Sequence, residues 1–344
     1  MFHPPSERPN VAAAMTDADA DTDGGRPAAA TTDRQPRLSI AETGELATSV
    51  IENTEEVIVG SHDAIEHIVT AMLARGHVLL EDVPGVGKTM LARAIARSFE
   101  SSFNRVQFTP DLLPSDVTGV NVFNQKTREF EFRRGPIFAN VVLGDEINRA
   151  PPKTQSALLE AMEEQQVTVD GATHALADPF TVIATQNAVE RNRTYELPLA
   201  EVDRFMKRLE LGYPTPDDES AMLENVVGTH PIETLEPIAS LDQLRAARER
   251  VAAITVAEPV REYVTRLANH TRERAQLGVS PRGSLSLLRA AQARAALDGR
   301  EYVVPDDIQH EAVVTLAHRV RPVGESDETG RDVIRAALSS VRVE

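Results

Sequence analysis

The stretch Asp82-Val83-Pro84-Gly85-Val86-Gly87-Lys88-Thr89-Met90 joins an apolar run, His77-Val78-Leu79-Leu80, to a helical pattern, Leu91-Ala92-Arg93-Ala94-Ile95-Ala96. That order predicts a strand, a phosphate-binding turn and a helix. Gly85 and Gly87 let backbone N–H groups curl around phosphate oxygens, Lys88 reaches the β and γ phosphates, and the Thr89 hydroxyl can ligate Mg²⁺. The positive end of the following helix favours the same anion. Pro84, Val86 and Met90 complete the expected nucleotide contact. The general pattern G-x-x-x-x-G-K-[ST] has Gly where this chain has Asp82, a residue that tolerates left-handed backbone, so the turn is expected to survive.

A second group follows 57 positions after Lys88, where Val141-Val142-Leu143-Gly144 delivers Asp145 and Glu146. Ligands of open α/β sheets bind beyond the carboxyl ends of parallel strands, so both acids are expected to face the crevice of the phosphate turn. There Asp145 can hold the magnesium shell and Glu146 can polarise the attacking water. Asn187 ends another apolar run, Phe180-Thr181-Val182-Ile183-Ala184-Thr185-Gln186. It reads either as a group orienting that water or as an ordinary turn residue.

These residues need a parallel sheet to bring them together. Helical patterns lie between Leu38 and Ala74, interrupted by Val57-Ile58-Val59-Gly60-Ser61, where Ser61 is a possible cap. Phe103–Phe108 and Ile137–Glu146 read as strands. Hairpins are expected over 119–132 and over 166–176, the latter turning on Asp170-Gly171. His174 reads as a surface hairpin residue rather than a ligand, since no second ligand stands at metal-binding spacing. Pro214 and Pro216 break the pattern near Gly212, and six helical segments follow to about Val341. The expected organisation is an acidic, disordered tail over 1–38, an α/β core over 39–212 and an all-α domain over 213–344, each of the two bodies with its own core.

Composition narrows the chemistry. The 344 residues contain no cysteine, which excludes thiol catalysis and zinc–thiolate sites. No window resembles a membrane span, and a cytoplasmic location is expected. Net charge is −17, and 32 of the 36 basic residues are arginines. Dense carboxylates with few lysines fit a salt-adapted, halophilic source and disfavour nucleic acid as a partner.

Together these motifs resemble the AAA+ ATPases and, within them, the MoxR family. The resemblance is carried by 79–89, by Gly144-Asp145-Glu146-Ile147-Asn148-Arg149-Ala150-Pro151-Pro152-Lys153-Thr154-Gln155, by 178–187 and by 197–214. It implies a doubly wound P-loop core with β-hairpin insertions, a smaller helical lid, bound ATP and Mg²⁺, and assembly of copies into a ring, usually a hexamer. Lys88 and Thr89 then match Walker A, Asp145 and Glu146 Walker B, Asn187 sensor 1, Arg204 the arginine finger and Arg282 sensor 2. Arg208 is a second finger candidate. The hairpins match insertions that face the pore or a partner, and the implied client is a protein, in this family often one with a von Willebrand factor A domain. Departures from the family pattern are Ala188, Arg193 and Leu199, and Arg191 adds to a basic loop before the finger. The implied function is ATP-driven remodelling or activation of a partner protein. The alternatives are a nucleic-acid motor of the same clade, which shares the hairpins, and a slow ATP-binding switch, for which Asp82 and the altered finger loop are the motive.

Overall fold

The computed structural model describes residues 37–187, 195, 197–225, 231–324 and 328–343. The expected tail, apart from residues 37 and 38, and the departures Ala188 and Arg193, with Arg191, lie outside them.

Helices α1 (Ile40–Glu55) and α2 (His62–Leu73) precede β1 (Val78–Asp82), the glycine turn and α3 (Lys88–Ser98). Ser39 caps α1 through a reciprocal bond with Glu42, whereas Ser61 makes no side-chain cap to α2. Next come β2 (Phe103–Gln107), the short α4 (Pro114–Thr118) and a hairpin of β3 (Gly119–Asn124) and β4 (Glu129–Arg134). Strand β5 (Val141–Asp145) is shorter than the run that predicts it, because 137–140 turn toward Ser102 and only the part beyond pairs with β2. Helix α5 (Pro152–Glu164) leads to the second hairpin, β6 (Gln166–Val169) and β7 (Ala172–Ala175), which turns on Asp170 and Gly171 with φ of 49° and 83°. Then follow β8 (Thr181–Asn187), α6 (Leu199–Val202) and β9 (Lys207–Leu209). Beyond Gly212 the described elements are all helical: α7 (Pro216–Asn225), α8 (Pro231–Thr234), α9 (Leu241–Ala252), α10 (Glu258–Arg274), α11 (Pro281–Leu297), α12 (Pro305–Leu316) and α13 (Gly330–Ser340).

The five-stranded sheet runs β2-β5-β8-β1-β9, all parallel. Both faces are covered, so the strands are apolar at consecutive positions rather than alternating. Val78 and Leu80, Val141 and Leu143, and Ile183 join one core with α1, α2 and α3; Leu79, Val142, Val182 and Ala184 join the other with α5. The first of these cores continues without a break into α9–α13. The helical body therefore shares a core with the sheet body, where the sequence suggests one each.

Buried polar groups tie the two bodies. Arg248 of α9 donates to the Met72 carbonyl at 2.8 Å and to Thr181 Oγ1 at 3.0 Å. Lys207, fully buried at the start of β9, pairs with Glu311 of α12 at 2.7 Å and donates to Thr70 Oγ1 of α2 at 2.7 Å. Among the described residues His67, His310 and Glu311 bring ligand atoms within 4.8 Å of one another, but the cation facing Glu311 is Lys207. No helix among the described residues is long and apolar enough to cross a membrane.

Candidate nucleotide site

The turn between β1 and α3 is built as its sequence requires. Gly85 and Gly87 have φ of 91° and 90°, in the left-handed region, and nothing lies within 4 Å of where either would carry a Cβ. α3 starts at Lys88 with Gly87 as its cap residue and no side-chain cap, so its first N–H groups have no side-chain acceptor and face the turn. Asp82 corrects one expectation. It is the last residue of β1, not a left-handed turn residue: its Oδ1 accepts from Val83 N at 2.7 Å, and its Oδ2 accepts from Leu211 N at 2.7 Å and Gly212 N at 2.8 Å. The carboxylate thus ties the loop to the chain leaving β9.

Lys88 Nζ donates to the carbonyls of Asp82 and Val83, both at 3.1 Å. Burial pulls its ammonium below the ordinary lysine range, partly offset by the carboxylates of Asp82, Asp145 and Glu146. Parallel register sets Asp82 beside Asn187 and Gln107 beside Asp145 at the carboxyl ends of the strands. Pro84, Gly85, Gly87, Lys88, Thr89, Met90, Arg105, Asp145, Glu146 and Asn187 there line one cavity of about 240 Å³. Val86 does not line it.

The two acids are held differently. Asp145 Oδ1 accepts from Thr185 Oγ1 at 2.6 Å, and its Oδ2 accepts from Arg105 at 2.5 and 3.1 Å. Glu146 sits at φ 55°, ψ 49°, left-handed for a non-glycine residue, with its N–H donating to the same Thr185 hydroxyl at 2.8 Å. Its Oε2 accepts from Gln107 Nε2 and Arg149 Nη1, each at 2.7 Å. Sequence reading missed Arg105, Gln107 and Thr185. The signal was present: Arg105 and Gln107 are two apart on an edge strand, hence on one face.

A donor set of one hydroxyl and one carboxylate, Thr89 and Asp145, beside an uncapped helix end and a lysine fits a nucleotide with a hard, oxygen-seeking cation. Beside the loop, Val57 and Ile58 of the interrupted N-terminal stretch cluster with Met90, Ala94, Ile232 and Leu235.

Arg204 and Arg282 are not among the residues lining the cavity. They meet instead on Glu163, near the end of α5: Arg204 Nε stands 3.5 Å from Oε2, and Arg282 Nη2 is bonded to Oε1. Arg208 is bonded to Glu81 and lines a larger cleft of about 940 Å³ between the strand ends and α12–α13, to which Asn187 also contributes. His174 stacks on Phe132 of the other hairpin, ring centroids 3.9 Å apart, and Asn121 donates to Asp170 at 2.8 Å, so the two hairpins lean on one another.

Comparison with known proteins bears on the family and the fold. Residues 77–207 match the family model "ATPase family associated with various cellular activities (AAA)", and 267–337 match the AAA lid domain. The chain is 51% identical over 303 residues to the uncharacterized protein YeaC of Bacillus subtilis, spanning 87% of this chain and 95% of YeaC. It is 39% identical to the chaperone MoxR1 of Mycobacterium tuberculosis, over 81% of this chain and 76% of that one. With the MoxR protein of Methylorubrum extorquens it shares 33% identity over 83% and 92% of the two chains. A solved structure from Cytophaga hutchinsonii, provisionally assigned as an ATPase, superposes with a TM-score of 0.83 at 35% identity, over 89% of this chain and 97% of that one.

Proposed function

Because the chain belongs to the MoxR family of AAA ATPases, we propose that it hydrolyses Mg²⁺-bound ATP in the cavity at the end of β1 and couples that cycle to remodelling a protein client. The observation that carries the proposal is the convergence of Lys88, Thr89, Asp145, Glu146 and Asn187 on one cavity from three separate chain segments. The α3 N–H groups and Lys88 bind the phosphates, while the half-buried Val57, Ile58 and Met90 offer an apolar face to the base. Thr89 and Asp145 would hold Mg²⁺, which neutralises charge on the phosphates. Glu146 takes the proton of the attacking water and Asn187 orients that water. Gln107 and Arg149 fix the Glu146 carboxylate until then.

Arg204 and Arg282 stand apart from their own subunit's cavity, so they serve a nucleotide bound to a neighbouring copy, in a ring that we take to be a hexamer. Glu163 holds both guanidiniums in the isolated chain, an anion in the position that a phosphate would claim. The helical part beyond about 212 serves as the lid. A client with a von Willebrand factor A domain and a cytoplasmic site of action complete the proposal; the chaperone designation of the mycobacterial relative supports the remodelling role. ATP turnover per subunit is the test, measured against protein concentration in Mg²⁺ buffer. Turnover that rises with concentration and is lost in Glu146→Gln, Arg204→Ala and Arg282→Ala supports the proposal; turnover independent of concentration overturns the shared site.

One observation favours a second reading, the nucleic-acid motor. The β3–β4 hairpin carries Lys126, Arg128, Arg133 and Arg134 against Glu129 and Glu131, with Phe130 71% exposed, on a chain of net charge −17. Aromatic rings among cations suit stacked bases. Single-stranded DNA that stimulates turnover severalfold would move the assignment there.

A further inference from the structure

Arg319 lies in the 3₁₀ turn after α12, 3% exposed, and four of its six side-chain hydrogen bonds go to the segment that carries Arg204, the other two to the Thr315 carbonyl and to Ser286 Oγ. Its Nε donates to Asp203 Oδ1 at 2.7 Å, Nη2 to the carbonyls of Asp203 at 2.9 Å and Phe205 at 2.8 Å, and Nη1 to the Met206 carbonyl at 3.2 Å. The neighbouring His318 adds Nε2 to the Phe205 carbonyl at 3.1 Å. The Asp203 carboxylate is shared. Ser280 Oγ lies 3.2 Å from each of its oxygens and also accepts from Gly283 N at 3.0 Å, capping α11 two residues before Arg282. From another direction, a Cβ on Gly283 would stand 2.8 Å from Arg319 Cδ and 3.0 Å from Val279 Cγ1. Gly283 thus leaves the space that Arg319 fills.

We propose that Arg319, acting through Asp203 and Ser280, is a positioning residue that fixes Arg204 and Arg282 as one two-guanidinium face across the junction of the sheet and helical bodies. Asp203 is the adjacent residue to Arg204, and Ser280 sets the helix start that carries Arg282. An ion pair buried this deeply adds little net stability, and its best-attested use is to fix register. Register is what two arginines need if they are to reach one phosphate together, since a displacement of about 1 Å in a catalytic array costs on the order of a hundredfold in rate. The proposal rests on the shared-site role given to Arg204 and Arg282 above.

The test compares kcat and KM for ATP in the full-length protein and its Ser280→Ala, Ser280→Thr, Arg319→Lys, Arg204→Ala and Arg282→Ala variants. Thermal unfolding, assembled mass and the affinity of a fluorescent ATP analogue are measured alongside. Ser280→Ala and Arg319→Lys are expected to lower kcat about tenfold or more, at unchanged analogue affinity and assembly, with Ser280→Thr recovering most of the rate. Ser280→Ala with wild-type kcat, while the arginine variants are inactive, overturns the clamp alone. Active arginine variants overturn the shared-site reading, and the clamp with it.

Discussion

At the residue scale, glycine spacing and chain order carried the phosphate loop, while the supports of the acids were hidden because they come from other strands. Asp82 is the instructive residue. Its carboxylate accepts one N–H from Val83 and two from residues 211 and 212, tying the loop to the chain leaving β9, so the pattern-restoring Asp82→Gly is expected to destabilise the protein by about 1–3 kcal/mol, read as a lower urea midpoint at unchanged slope. An unchanged or higher midpoint would contradict that account. Glu146→Gln preserves shape and the hydrogen bond from Gln107 can be remade, so it should keep ATP bound while turnover falls by about 10² to 10⁴. Arg204 and Arg282 are 78 positions apart, and nothing in the sequence pattern pairs them on Glu163.

At the scale of elements, strands, hairpins and most long helices were legible because apolar runs and turn residues are local signals. The shared core was not, since packing of α9 and α11 on α1 and α2 is a long-range outcome. The groups that tie the bodies give two measurable consequences. Removing one partner of the buried Lys207–Glu311 pair, as in Lys207→Met, is expected to cost about 3–5 kcal/mol, and the Lys207→Met/Glu311→Leu double variant should recover much of it. Equal instability of the single and double variants would refute the pairing as its cause.

The second consequence concerns pH. His77 accepts from Val182 N and its Nε2 donates to the Met162 carbonyl, and burial holds its imidazole down at about 4. His318 is lowered in the same direction, by burial and then by Arg319. Both are neutral in the fold, so the stability present above the unfolded histidine value of about 6.5 is lost as pH falls from there toward 4. His77 alone withdraws about 3 kcal/mol at full titration. His62 and His310, raised chiefly by bonds to Glu55 and Glu66, add stability in the opposite sense over the same range. Thermal midpoints measured from pH 7 to 4.5 should fall, and fall less in His77→Gln.

At the scale of the whole molecule, the charge of −17 with few lysines was plain in the composition, but its consequence lies in solvent conditions rather than in any contact. Raising KCl from about 0.1 to about 2 M screens this repulsion and should raise the thermal midpoint; a fall would count against salt adaptation. The proposed assembly entered only through the family resemblance, because a site completed by another copy would leave no mark on one chain except arginines standing away from the cavity that they would serve. The most direct test of that claim is a mixture. Glu146→Gln subunits retain both arginines, Arg204→Ala subunits retain a complete cavity, and each alone should be inactive. Mixed at equal concentration under assembling conditions, they should regain ATP turnover well above the sum of the two alone. Turnover no greater than that sum would mean that Arg204 does not act across a boundary between copies.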